Sequence, residues 1–304
     1  MRILLTGSNG LLGQKLTDFL LLRDDITLLC TSRGENRNPQ QAGYTFQKLD
    51  LADWEGMQQL IQSFAPTHII HCAAISSVER CEADPDQAQL INVTIPQQLA
   101  ELAHLQGIHY TFLSTDFVFD GKQGPYQESD STGPCNAYGA SKVKAEQAIL
   151  AVNPQAAILR TILVYGVIGD KGRSNLVLWA KGKLEQKEAI KVVADQWRMP
   201  TWVDDLAQAC ILAADKKAEG IFHISGPQLY SIIEVVELVA DYWQLDKKLI
   251  SPILAAEIGQ DTNRPRKTGF ILDKAHQVLG FKPTSLTASF EQIDIQLKKL
   301  QQHA

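Results

Sequence analysis

Short apolar runs recur along the first half of the chain, each closed by a small or polar residue. They alternate with stretches in which apolar residues repeat every three or four positions. Arg2-Ile3-Leu4-Leu5-Thr6, Ile26 to Cys30, Tyr44 to Leu51, His68 to Cys72, His109 to Leu113 and Ala156 to Thr161 are runs of the first kind. Bounded by turn signals, they suit strands buried on both faces of a parallel sheet. Between them, Gln14 to Leu20, Asp53 to Phe64 and Ile91 to Leu105 read as helices. Trp54, Met57, Leu60, Ile61 and Phe64 mark the buried face of the second. Pro96 suits a first-turn position and places the start of the third helix near it. A further helix carries Tyr138. Strand and helix alternate throughout, which predicts an α/β protein with a Rossmann-type, doubly wound parallel sheet over residues 1–165.

The second half is less regular. Val167 to Arg173 reads as a glycine-bearing loop, Ser174 to Gly182 as a helix and Ile190 to Asp195 as a strand. Asp204 to Ala214 is helical, with Asp204 as cap or first-turn carboxylate. Ile221 to Gly226 is a strand. Ser231 to Trp243 is a helix, with Ser231 at its N-cap and Glu234 three residues on. A last helix spans Phe290 to Leu300. No repeat or low-complexity linker separates the halves, so residues 166–304 are expected to form a smaller substrate lobe packed closely on the first. Some of its segments, about 190–225, are expected to return to the first domain.

Composition narrows the function classes. With 45% hydrophobic and 21% charged residues in 304, the chain is an ordinary globular one. A net charge of −5 and a pI near 5.8 argue against a nucleic-acid surface. No run approaches ~18 apolar residues, so no membrane span is expected. The start carries one basic residue and then goes directly into glycines, unlike a cleavable signal, so a cytoplasmic location is expected. The cysteines, Cys30, Cys72, Cys81, Cys135 and Cys210, show neither a Cys-x-x-Cys pair nor zinc-site spacing and read as reduced thiols. His68 and His71 flank a strand and read as core histidines. No metal site is expected.

The candidate chemistry lies at strand ends. Gly7-Ser-Asn9-Gly10-Leu11-Leu12-Gly13 falls between the first strand and its helix, where glycines let backbone amides approach a pyrophosphate at the positive helix end. The second strand ends in Ser32-Arg33 with no acidic residue. A hydroxyl and a guanidinium there accommodate a 2′-phosphate, which favours NADP over NAD. Asp50, with Leu51 beside it, is placed to meet the adenine. Ala73 and Ala74 leave room for a cofactor against the backbone. Ser114, Thr115 and Asp116 follow the fifth strand, where side chains point into the ligand crevice of such a sheet. Tyr138 and Lys142 stand four apart on a helix and so share one face. An ammonium beside a phenol stabilises the phenolate, so Tyr138 is expected to titrate below its usual value of about 10 and to serve as a proton donor near neutral pH.

Together, Gly7-x-x-Gly10-x-x-Gly13, Ser114-Thr115 and Tyr138-x-x-x-Lys142 resemble the extended short-chain dehydrogenase/reductases. Within them the chain is similar to the dTDP-4-dehydrorhamnose reductase family. That likeness rests on Ser114-Thr-Asp-Phe-Val-Phe-Asp-Gly121, Tyr138-Gly-Ala-Ser-Lys142, Arg160-Thr161, Val193-Ala-Asp-Gln196 with Pro200-Thr201, and Asp205-Leu206-Ala207. Arg264-Pro265 and Leu279-Gly280-Phe281-Lys-Pro283 extend it to about residue 285. The resemblance implies that Thr115, Tyr138 and Lys142 are the catalytic trio. Tyr138 would protonate the C4 oxygen of a nucleotide sugar as NADPH gives hydride to C4. Lys142 would bind the nicotinamide ribose and tune Tyr138, and Thr115 would hydrogen-bond the carbonyl. Ser114, Asp116, Asn175 and Gln196 are expected to contact a nucleotide-sugar substrate, with Arg198 a further candidate; no nucleic-acid or membrane partner is expected, and a homodimer is compatible with the resemblance. Two positions depart from the family pattern. Ile162-Leu163 stand where Ser-Trp is common, and Arg198 stands where glycine is common. Leu163 reads as packing or as a substrate contact, Arg198 as an exposed loop charge or a ligand of a nucleotide diphosphate. The same resemblance leaves room for a nucleotide-sugar epimerase or dehydratase, which the Arg33 position disfavours, and for a non-catalytic regulatory subunit of the kind that serves methionine adenosyltransferase.

Overall fold

The computed structural model of the chain describes residues 1–169 and 174–302. Positions 170–173 of the expected 167–173 loop lie outside the described residues. The first half runs β1 (Arg2–Thr6), α1 (Leu11–Leu20), β2 (Thr27–Ser32), β3 (Thr45–Lys48), α2 (Trp54–Phe64) and β4 (His68–His71). It continues with α3 (Val78–Ala83), α4 (Pro85–Gln89), α5 (Ile95–Leu105), β5 (His109–Thr115), α6 (Ala137–Val152) and β6 (Ala157–Thr161). The second half adds β7 (Val164–Tyr165), α7 (Leu176–Glu185), β8 (Ile190–Val193), β9 (Trp197–Arg198), β10 (Thr201–Trp202), α8 (Val203–Asp215) and β11 (Gly220–Ile224). It ends with β12 (Tyr230–Ser231), α9 (Ile232–Tyr242), β13 (Ile250–Ile253) and α10 (Leu286–Gln302).

Seven strands, all parallel, form one sheet in the order β11-β6-β5-β4-β1-β2-β3. The order reverses between β1 and β4, and a crevice for ligands opens beyond the carboxyl ends of strands at such a reversal. Successive β1 side chains face opposite layers. Ile3 and Leu5 pack with Leu16, Leu20 and Ala207 of α1 and α8, whereas Leu4 packs with Met57, Leu99 and Ile149 of α2, α5 and α6. A separate apolar cluster joins α7, α9 and α10 through Val177, Ala180, Val235, Val239, Phe290 and Ile293. Of residues 190–225, α8 and β11 pack in or on the large sheet, while β8 pairs with β13 apart from it.

Two expected boundaries move. The third strand covers only Thr45–Lys48 at the sheet edge, where Thr45, Gln47 and Lys48 are exposed, so Asp50 lies beyond it. Pro96 falls in the first turn of α5, as expected, but α5 continues an earlier helical run. The chain is already helical from Pro85 and widens to a π-turn over Leu90–Thr94, in which the Ile95 N–H reaches back to the Leu90 carbonyl. A proline, which brings no N–H of its own, is accommodated directly after that wider turn.

Candidate active site

The floor of the crevice is backbone. Gly7 has φ +72°, and a Cβ there would sit 2.7 Å from the Ala73 nitrogen. A Cβ on Gly13 would sit 2.4 Å from the Gly7 carbonyl oxygen. The loop closes this tightly only because both side chains are missing. Helix α1 starts at Gly10 with no side-chain cap and no acidic residue in its first turn, so its leading N–H groups remain available to an anion. A backbone loop packed this tightly at a bare helix end fits the pyrophosphate of a dinucleotide. Asn9 fixes its rim: Oδ1 accepts from the Arg37 N–H at 2.9 Å, and Nδ2 donates to the Glu35 carbonyl at 2.7 Å. The loop bearing Ser32 and Arg33 is thereby held beside the glycines. The exposed Arg33 guanidinium has no side-chain hydrogen bond or ion pair among the described residues.

Opposite this floor, α6 approaches the turn after β5 unusually closely. A Cβ on Gly139 would lie 2.1 Å from the Phe117 carbonyl oxygen, so the glycine after Tyr138 is what admits the contact. Asn136 caps the helix by accepting from the Gly139 N–H at 2.8 Å. Asn92 ties the same helix to the loop after β4, donating to the Ser141 hydroxyl at 3.0 Å and to the Ile75 carbonyl at 3.0 Å. Tyr138 consequently meets Phe117 edge-on, with ring centroids 6.0 Å apart. The Thr115 hydroxyl lies beside the phenol; it accepts from the Phe117 N–H at 3.2 Å and donates to Asp116 at 3.2 Å.

The electrostatics differ from expectation at one point. Desolvation of the Tyr138 hydroxyl pushes its pKa well above the usual tyrosine value, with nearby Asp116 adding to the rise and only Thr115 opposing it. Lys142 does not offset this. Its ammonium is buried over the Phe112 ring, 4.1 Å from the centroid, and burial lowers its own pKa to about 8 against the pull of Glu146. The phenol is therefore protonated throughout the neutral range. That is the form a proton donor needs.

On the far wall, side chains expected to face a substrate are engaged by the protein. Ser114 donates to the Glu146 carboxylate at 2.5 Å. Asp116 accepts from the Thr268 hydroxyl at 2.5 Å and lies 3.5 Å from Arg198 Nε. Arg198 is 4% exposed, so it is no loop charge. Its Nη1 donates to the Trp197 carbonyl at 2.7 Å and its Nη2 to the Pro265 carbonyl at 2.7 Å, leaving little of the guanidinium for a diphosphate. Asn175 caps α7 and donates to the Gly166 carbonyl at 2.7 Å, and Gln196 reaches the Gln260 carbonyl at 3.5 Å. Leu163 packs at the edge of the Phe119 cluster with φ +39°, a left-handed conformation rare for a branched residue.

One cleft of about 990 Å³ gathers all of these groups. Gly7, Asn9, Gly10, Leu11, Leu12, Gly13, Ser32, Arg33, Asp50, Leu51, Ala73 and Ala74, the expected coenzyme contacts, line one side. Ser114, Thr115, Asp116, Tyr138, Lys142, Asn175, Gln196 and Arg198 line the remainder. Sequence reasoning assigned no role to Arg80, Gln87 or Arg264, which also line it. Arg264 pairs across the cleft with Glu79 of α3. Arg264 did offer a signal, as part of the Arg264-Pro265 motif. Arg80 and Gln87 offered none.

A family model described as the RmlD substrate binding domain matches residues 1–298. Methionine adenosyltransferase 2 subunit beta of Xenopus tropicalis is 33% identical over 273 residues, covering 87% of this chain and 78% of the relative. The dTDP-4-dehydrorhamnose reductase of Aggregatibacter actinomycetemcomitans is 30% identical over 304 residues, covering 96% and 98%. The crystal structure of dTDP-4-dehydrorhamnose reductase from Bacillus anthracis in complex with NADP superposes with a TM-score of 0.81 at 28% identity, over 97% of this chain and 99% of that one.

Proposed function

The chain belongs to the RmlD substrate binding domain family, and on that premise we propose that it reduces the C4 keto group of dTDP-4-dehydro-6-deoxy-L-mannose with NADPH, yielding dTDP-L-rhamnose. The observation that carries this reading is the meeting of Thr115, Tyr138 and Lys142 in one cleft with the bare glycine loop. A dinucleotide whose pyrophosphate rests on α1 brings its far end toward these groups, because the crevice lies along the carboxyl ends of β1 and β4. When bound, the nicotinamide coenzyme supplies the hydride. Tyr138, protonated at neutral pH, then delivers its proton to the forming alkoxide. Thr115 turns its hydroxyl from Asp116 to the same oxygen and stabilises the charge that develops there. Lys142, with no hydrogen-bond partner among the described residues, is available to ribose hydroxyls and holds a positive charge under the reacting groups. Arg33 supports the 2′-phosphate form of the coenzyme. The test is NADPH oxidation on adding the dTDP-linked keto sugar. Absence of substrate-dependent oxidation would reject the reading.

A second reading draws on the relative named methionine adenosyltransferase 2 subunit beta. On it, the cleft binds coenzyme without turnover and the chain is a regulatory partner. A stable complex with a methionine adenosyltransferase catalytic subunit in gel filtration, together with no oxidation of NADPH by the sugar, favours that alternative.

A further inference from the structure

Beneath the catalytic face of α6 lies a charged group that the reaction as described does not use. Glu146 is 4% exposed and stands one helical turn beyond Lys142. Its Oε1 accepts from the Ser114 hydroxyl at 2.5 Å and from Arg160 Nε at 2.9 Å, and its Oε2 accepts from Arg160 Nη2 at 2.6 Å. Arg160 is itself 2% exposed, and its Nη1 meets His223 Nε2 at 3.4 Å. One carboxylate therefore binds α6 to β5 through Ser114 and to β6 through Arg160. Ser114 is the residue immediately before Thr115.

We propose that Glu146 is a positioning residue for the reductase reaction. Through Ser114 it fixes the strand end that presents Thr115, and from within α6 it supplies the negative charge that keeps the Lys142 ammonium charged. The inference rests on the proposed function for its catalytic meaning, though not for its test.

Other groups facing Lys142 do not provide that charge. Tyr138, on the same helix, is a neutral phenol. His71 of β4 is held neutral by burial, its pKa pushed down to about 3. Cys72, at the end of β4, and Cys81 of α3 are thiols raised by burial and are not ionised at neutral pH. Arg160 of β6 pairs with the carboxylate and is a cation, so it cannot supply the negative charge. Among the described residues Glu146 is the carboxylate acting on the lysine, and it works against desolvation, which otherwise neutralises a buried amine.

The test is the titration of Lys142, followed by its 13Cε resonance in lysine-labelled protein and assigned with Lys142→Met. In the parent the midpoint is expected near pH 8. In Glu146→Gln, which keeps the shape and the Ser114 contact, it is expected to fall by about one unit or more. The alkaline limb of kcat/KM for NADPH-dependent reduction should move with it. Because Glu146→Gln strands the Arg160 charge and can unfold the protein, the double variant Glu146→Gln/Arg160→Gln removes both charges together. It should show a downward movement too, smaller than in the single variant because the opposing Arg160 cation goes with the carboxylate. A midpoint unmoved in the folded double variant, with activity lowered evenly at every pH, would leave Glu146 a purely structural residue and overturn the proposal. If the parent oxidises no NADPH with the sugar, the reductase reading fails, and the lysine titration still decides the role of Glu146.

Discussion

The glycine loop and the wall around Asp116 border the same cleft, yet they are built by opposite means. The loop is backbone: its shape follows from missing side chains at Gly7 and Gly13 and from a helix end left uncapped at Gly10. The wall is a set of side chains drawn from distant places. Asp116 bonds Thr268, 152 positions away, and Arg198 bonds Pro265, 67 positions away. A backbone site can be read from neighbours in sequence, because φ and steric exclusion act within a few residues. A side-chain site is decided by which groups burial forces into partnership. The loop is accordingly set by local backbone, and the wall by contacts between residues far apart in the chain.

Substitutions can separate the two sides. Tyr138 stands where they meet, and Tyr138→Phe should lower turnover by about 10²–10⁴-fold while leaving NADPH affinity nearly intact, since only the proton donor is lost. Stopped-flow reduction and fluorescence titration of NADPH check both halves, and wild-type turnover in this variant would dismiss the acid assignment. Arg198→Met should strike the wall alone. With Asp116 buried and its charged partner gone, urea unfolding at neutral pH should report a loss of roughly 3 kcal/mol, with coenzyme affinity little changed. A loss below about 0.5 kcal/mol, the scale of an ordinary surface change, would return Arg198 to the role of a loop charge. Arg33→Glu should affect the loop side alone, weakening NADPH by roughly tenfold to a hundredfold, as for the loss of a charge-assisted contact, and NADH far less. Equal losses for the two coenzymes would remove Arg33 from the 2′-phosphate site.

Much of this was legible in advance, and the boundary follows the same division. The run Arg2–Thr6, the glycines after it and the Tyr138/Lys142 spacing each signal through period or turn chemistry confined to a few residues. The alternation of such segments led to the parallel sheet observed. Gly139 was overlooked because its meaning lies in the Phe117 carbonyl that packs against it. Pro96 marked the first turn of α5, but not the helical run before it, because a wider turn over Leu90–Thr94 joins the two. Arg198 looked like a solvated charge because the carbonyls that bury it come from residues 265 and 266.

By itself, the order of residues determined the doubly wound sheet, the anion cradle and a tyrosine and lysine on one helical face. Those features depend on backbone geometry and on periodicities of two and 3.6 residues, which any short stretch of chain carries with it. Tertiary structure alone decided which charges are buried, that Tyr138 is driven up rather than down in pKa, and that Glu146 lies under Lys142 with Ser114 and Arg160 on its oxygens. Desolvation is the reason. The energy of a charge or a phenol depends on every atom packed around it, and that surrounding exists only once the whole chain has folded.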